Sequence, residues 1–336
     1  MKSYTYTGVD IFKVFAAMGV VAIHSGAVVF NTMGRLGVPF FATISGFFFF
    51  KKYLNLKQNE KTNYLISYLK RIFYLYLIWQ IIYIPMVIKE IGPYEKEGDW
   101  VTFMWRFIFP GYGYTYSGKF IAGTNGWGVS WYLIGLLMGL PLFCLLIKYV
   151  KSNYIIGIIC LLLEIGYICS SGYHFVTNFF MWGILTFLRL FIYLFIGYII
   201  SQNLHKINSF PLTTVILITL ILVILFLSEN FVVYKFSGNL ASEELVTTVP
   251  TSIAVTILAL KINPKWHWTV FARNYSTFLY TSQIIYLDIL NHLMILSGII
   301  NGYFKLFITI ILSFITFGIY ILILRKFKYR WLYYMV

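Results

Sequence analysis

Apolar runs close to the 20 or so residues needed to cross a hydrocarbon core of about 30 Å recur from one end of this chain to the other. They lie near 9–30, 37–50, 65–88, 127–147, 153–171, 178–200, 211–228, 244–260, 271–292 and 303–324. Lipid offers a peptide group no hydrogen-bond partner, so each run must satisfy its own backbone, and runs of this length do so as helices. The expected fold is therefore all-α, a polytopic integral membrane bundle of about ten transmembrane helices. Composition agrees, with 60% hydrophobic, 21% aromatic and 11% charged residues, against about 25% charged in ordinary soluble domains. No stretch reads as a soluble domain, so residues 1–336 are taken as one membrane unit. The first run lacks a cleavage site of small residues and is expected to be a retained helix. The second, "GVPFFATISGFFFF", is short for a full crossing and is expected to thin the bilayer locally or dip in beside other helices.

The charge pattern gives the direction. In a ten-helix arrangement, roughly 18 of the 26 Lys and Arg residues fall on one side, as the positive-inside rule requires of the cytoplasmic face. Both termini are then expected in the cytoplasm, with the chain in the cell membrane. The net charge of +15 belongs to these inner loops and does not imply a nucleic-acid partner. Cys144, Cys160 and Cys169 sit in apolar runs without CxxC spacing and read as packing residues. Histidines 24, 174, 205, 267 and 292 form no HxxxH or HExxH pair, so no metal is expected. The outer loop 89–126 begins like an amphipathic interfacial helix and continues rich in Tyr and Gly, a composition that suits either headgroups or sugar rings.

The opening helix carries the chemistry. In "DIFKVFAAMGVVAIH", Lys13 and His24 are eleven residues apart, so they differ by only about 20° around the axis and stand about 16 Å apart along it. Asp10 lies one turn before Lys13, an i, i+3 pair able to offset part of its charge. Two readings stay open for Asp10 and Lys13: snorkelling to the interface, or a functional stripe. His24 demands more, because a neutral imidazole carries one donor and one acceptor that both need partners, and it is the usual group for moving a proton to or from a hydroxyl.

These residues, in order, resemble the membrane acyltransferase-3 family. "GVDIFKVFAAMGVVAIH" is similar to its first helix, a basic residue, ten positions and a histidine. "RLGVPFFATISGFFFF" resembles its second element, "SWYLIGLL" its Trp-aromatic-Leu segment, "RLFIYLFIGYII" its sixth helix and "NYSTFLYTSQII" its late Ser-x-x-x-Tyr element. The resemblance implies O-acyl transfer, commonly from acetyl-CoA in the cytoplasm to a hydroxyl of a cell-surface glycan or lipid-linked saccharide. His24 would be the general base. Lys13, with Asp10 beside it, would meet the CoA phosphates. Arg35 would steady developing negative charge or the acceptor, and Asp288, at a depth close to that of His24, would orient the imidazole.

Further expectations follow for single residues. Ser45 and Gly46 are expected to allow close helix approach, and Trp131 and Tyr132 either to be structural or to line the cavity. Glu164 and Arg189 fall at similar depth and are expected either to pair or to line an aqueous tunnel. The chain departs from the family pattern at Gln283, where a His is common, and at Ser130, where a His often precedes the Trp; an amide supplies hydrogen bonds but no base. A proton-coupled transporter or exporter is the alternative function, since buried acids and a histidine also serve as relays.

Overall fold

The computed structural model describes residues 6–89, 91–116, 119–121, 127–181, 183–238, 242, 244–297, 301–327 and 330–336. In chain order the helices are α1 (Thr7–Ser25), α2 (Val28–Gly34), α3 (Gly37–Tyr53), α4 (Gln58–Ile88), α5 (Ile91–Glu97), α6 (Trp100–Ile108), α7 (Trp131–Tyr149), α8 (Asn153–Ser170), α9 (His174–Thr177), α10 (Phe191–Gln202), α11 (Leu204–Ser209), α12 (Leu212–Ser237), α13 (Thr248–Lys261), α14 (Thr269–Ser297) and α15 (Gly302–Phe327). A single turn of 3-10 helix at Gly128–Ser130, a two-turn piece at Arg330–Met335 and a longer stretch at Gly183–Leu190 complete the helical elements. Strands β1 (Tyr114–Tyr116) and β2 (Lys119–Ile121) pair antiparallel in a small hairpin.

Among the described residues, eight helical spans are long and apolar enough to cross a membrane. The other two expected runs also form helices. α13 has only 14 residues, and α14 has ample length at 29 residues but carries Arg273, Asn274, Ser276, Gln283 and Asp288. The short second run is corrected: α2 and α3, joined by the turn at Arg35–Leu36, make a continuous span Val28–Tyr53 of 26 residues. Hydropathy missed the first part because polar Asn31, Thr32 and Arg35 interrupt it. The amphipathic helix expected in the loop 89–126 is α6, whose first turn is capped by Asp99 accepting from the Thr102 backbone N–H at 3.2 Å; residues 90, 117–118 and 122–126 of that loop lie outside the described residues.

α1, α3, α10 and α14 form the centre. Glycines bring their backbones together, as small residues do in membrane bundles. A Cβ on Gly34 would lie 2.1 Å from the Gly19 carbonyl oxygen, and one on Gly197 would lie 2.4 Å from that of Thr43. A Cβ on Gly46 would lie 3.2 Å from the Leu194 backbone, the close approach expected there. α1 ends at Gly26 with φ 78°, a left-handed conformation that costs glycine little.

The chain ends of the helices gather at two poles. At one, the Thr7 backbone N–H donates to Asn263 at 3.1 Å, and Lys261 reaches the carbonyls of Ile207 and Asn208. At the other, Gly302 abuts Gly26, Gly183 abuts Gly113 and Gly172 abuts Glu244. α1 runs from the first pole to the second, which fixes where its two functional ends emerge.

Candidate active site

Lys13 and His24 open into different cavities. Lys13 lines a space of about 500 Å³ at the first pole, within the roughly 300–1,000 Å³ of small-molecule sites. Arg71 of α4 and Arg273 of α14 line it too, with Ser45, Tyr68 and Tyr132 along the wall. Lys13 Nζ sits 5.6 Å from the centre of the Phe48 ring, a cation–π distance. Asp10 is 3% exposed and takes two bonds from Arg273, Nε to Oδ1 at 3.0 Å and Nη2 to Oδ2 at 2.8 Å. Asp10 acts electrostatically on Lys13, as expected, and its two oxygens are at the same time engaged by Arg273, whose guanidinium fork matches a carboxylate. Lys13, Arg71 and Arg273 face the same space, with Asp10 the one acidic side chain among the described lining residues, so its side chains carry a net positive charge.

His24 lies at the exposed mouth of a smaller cavity of about 90 Å³ at the second pole. Arg35, Trp131, Arg189, Glu244 and Tyr280 share its lining. Arg189 donates Nε to Glu244 Oε1, and its guanidinium carbon stands 5.4 Å from the Trp131 ring centre. Tyr193 donates to the other Glu244 oxygen at 3.0 Å. The expected pair of Glu164 with Arg189 is corrected: the carboxylate on Arg189 is that of Glu244. Glu164 is 2% exposed and interacts electrostatically with both Glu244 and Arg189.

Asp288 does not line the cavity of His24. Its carboxylate lies 3.6 Å from Nδ1 of His292, one turn along α14, so the structure leaves it outside the site where sequence depth had put it. Depth along a helix does not report the direction of a side chain around it. Of the two readings given to Trp131 and Tyr132, the structure takes the second: Trp131 lines the cavity of His24 and Tyr132 that of Lys13. Ser45 stands 3.1 Å from the Tyr132 hydroxyl. Gln283 is fully buried and donates to the Tyr280 carbonyl at 2.8 Å, so its amide holds the α14 backbone.

Tyr280 belongs to both cavities. Its ring packs against Phe41 and Tyr132, at 5.7 and 6.1 Å between centres, and its hydroxyl donates to the Val129 carbonyl at 2.5 Å. Sequence reading placed Tyr280 in a motif but gave it no part in the site. It also counted Arg71 and Arg273 only as topology signals, and left Glu244 at the edge of an apolar run. For Arg71 and Arg273, position near the start of an apolar helix was the available signal; for Glu244 there was none.

A polytopic helical membrane protein with an electropositive cavity at one pole and a histidine-bearing cavity at the other is the class that fold and site define. The profile of the acyltransferase-3 family, described as an acyltransferase domain, matches residues 6–325, and the chain belongs to that family of membrane acyltransferases. It is also similar to an amino-acid racemase of Enterococcus faecalis, 29% identical over 164 residues. That match takes in 45% of this chain and 22% of the relative, so the chain spans only about a fifth of the relative's length. No solved structure matches the chain.

Proposed function

We propose that the chain is an O-acyltransferase that takes an acyl group, acetyl by preference, from acyl-CoA bound at the pole of Lys13 and delivers it to a hydroxyl of a surface glycan or lipid-linked saccharide at the pole of His24. The observation that carries this reading is that one helix presents a cation to one cavity and an imidazole to another, with Tyr280 as their common wall. The positive-inside pattern supports assigning the Lys13 pole to the cytoplasm, where acyl-CoA is made, and both termini with it. CoA phosphates suit the three cations of the large cavity, and the roughly 16 Å between Lys13 and His24 along α1 is a distance an extended pantetheine arm can bridge.

In the reaction, the neutral imidazole of His24 accepts the proton of the acceptor hydroxyl as its oxygen attacks the thioester carbonyl. The new O–C bond forms, the C–S bond breaks, and the imidazolium returns the proton to the departing thiolate. Arg35, half-buried in the same lining, supplies positive charge toward the oxygen that gains electron density. Arg189, held by Glu244, contributes to the same field.

His24→Ala should lower acyl transfer by about 10² to 10⁴-fold with unchanged expression. Lys13→Ala should raise KM for acyl-CoA and leave kcat nearly as it was, since it touches a distant part of the donor. A His24→Ala protein that acylates normally would remove the base assignment. Buried Glu164 and Glu244 favour one rival, a proton-coupled carrier. Purified protein that binds no acyl-CoA but moves a labelled solute into liposomes along a proton gradient would establish it instead.

A further inference from the structure

The family match ends at residue 325, yet the segment that follows helps to build the large cavity: Tyr334 and Val336 line it together with Lys13, Arg71 and Arg273. The 3-10 piece Arg330–Met335 packs on α4. Trp79 Nε1 donates to the Met335 carbonyl at 3.2 Å, Met335 is buried, and the Tyr334 ring rests 5.0 Å from that of Tyr74. Tyr74 is one helical turn beyond Arg71, on the same face of α4. Arg71 is exposed, and Tyr334 as a residue is 40% exposed. A flat aromatic surface is thereby fixed beside a guanidinium at the rim of an electropositive cavity.

We infer that this C-terminal piece is the nucleotide wall of the donor site, with Tyr334 stacking on the adenine base while Arg71 meets a phosphate. The inference rests on the acyl-CoA reading above. A nucleotide presents a flat π face a short way from its fixed negative charges, and an aromatic ring next to an arginine matches that arrangement. The bond from Trp79 holds this piece in place without any ligand, so little ordering is needed on binding. The consequence is donor choice: free acyl-CoA engages the wall, whereas an acyl group on a pantetheine arm that lacks the base gains nothing from it.

The test uses the full-length protein in lipid nanodiscs and etheno-CoA, whose fluorescent base reports stacking. Tyr334→Leu should weaken binding about tenfold and restore the fluorescence that stacking quenches in the bound probe. Tyr334→Phe should bind as wild type. If Tyr334→Leu does not fold, Tyr74→Leu, which removes the ring beneath, should show the same loss. Binding by Tyr334→Leu within twofold of wild type, or an equal loss in Tyr334→Phe, overturns the inference while leaving the donor assignment standing. A wild-type protein that binds no etheno-CoA overturns the donor assignment and this inference together.

Discussion

Asp10 and Arg273 show what one pair contributes at the entrance to the large cavity. Asp10 is buried, whereas the Arg273 side chain is 46% exposed, so losing one partner is not equivalent to losing the other. Arg273→Ala removes both hydrogen bonds to a buried carboxylate, leaving Lys13 as its neighbouring cation, and should destabilise by about 2 to 3 kcal/mol. Asp10→Ala leaves an arginine that still reaches solvent and should cost less, about 1 to 2 kcal/mol. The apparent Tm in detergent checks the order: Arg273→Ala below Asp10→Ala below wild type. The face shared by Lys13 and His24 was legible in the sequence because helical periodicity alone decides it. The partner of Asp10 was not, since it lies 263 residues away and only folding brings it there. Glu244 was missed for a related reason: it sits in an irregular segment where no period assigns a depth.

Helix by helix, contact between backbones sets the site. α2 begins the span that hydropathy shortened, and it lies against α1 through Gly34 and Gly19. Arg35 follows Gly34 directly, so the glycine contact determines how far Arg35 stands from His24. Gly34→Ala should push the two helices apart and lower acyl transfer at least tenfold, with an apparent Tm loss matching roughly 1 to 3 kcal/mol. Gly197→Ala, between α3 and α10, should cost similar stability with a smaller effect on turnover, because no cavity residue adjoins it in sequence. Comparing kcat with Tm for the two variants separates these outcomes. Apolar length revealed these helices, but not which faces meet. α13 and α14 illustrate the limit: buried Thr251, Ser252, Ser276 and Ser282 lower their hydropathy because they face other helices and not lipid.

Across the whole molecule, the two poles have different exits. The topology proposed here predicts that a cysteine at position 176 reacts with a membrane-impermeant maleimide in intact cells, and one at position 57 only after the membrane is opened. Both native positions are exposed; Cys144 and Cys160 are buried, and Cys169 would be replaced by Ser to clear the background. The reverse labelling would turn the donor pole outward and contradict the acyl-CoA reading. The order of helices was readable from the chain alone, as was the family. The separation of the site into two chambers was not, because it depends on where single aromatic rings of α3, α7 and α14 come to rest. Tyr280 is the ring both chambers share, which gives it an electrical duty as well as a chemical one. A bilayer that stores a proton gradient tolerates no continuous file of water, so the acyl-transfer reading requires Tyr280 to close the path whenever no donor arm is threaded past it, and Tyr280→Ala liposomes should discharge an imposed pH difference faster than wild type.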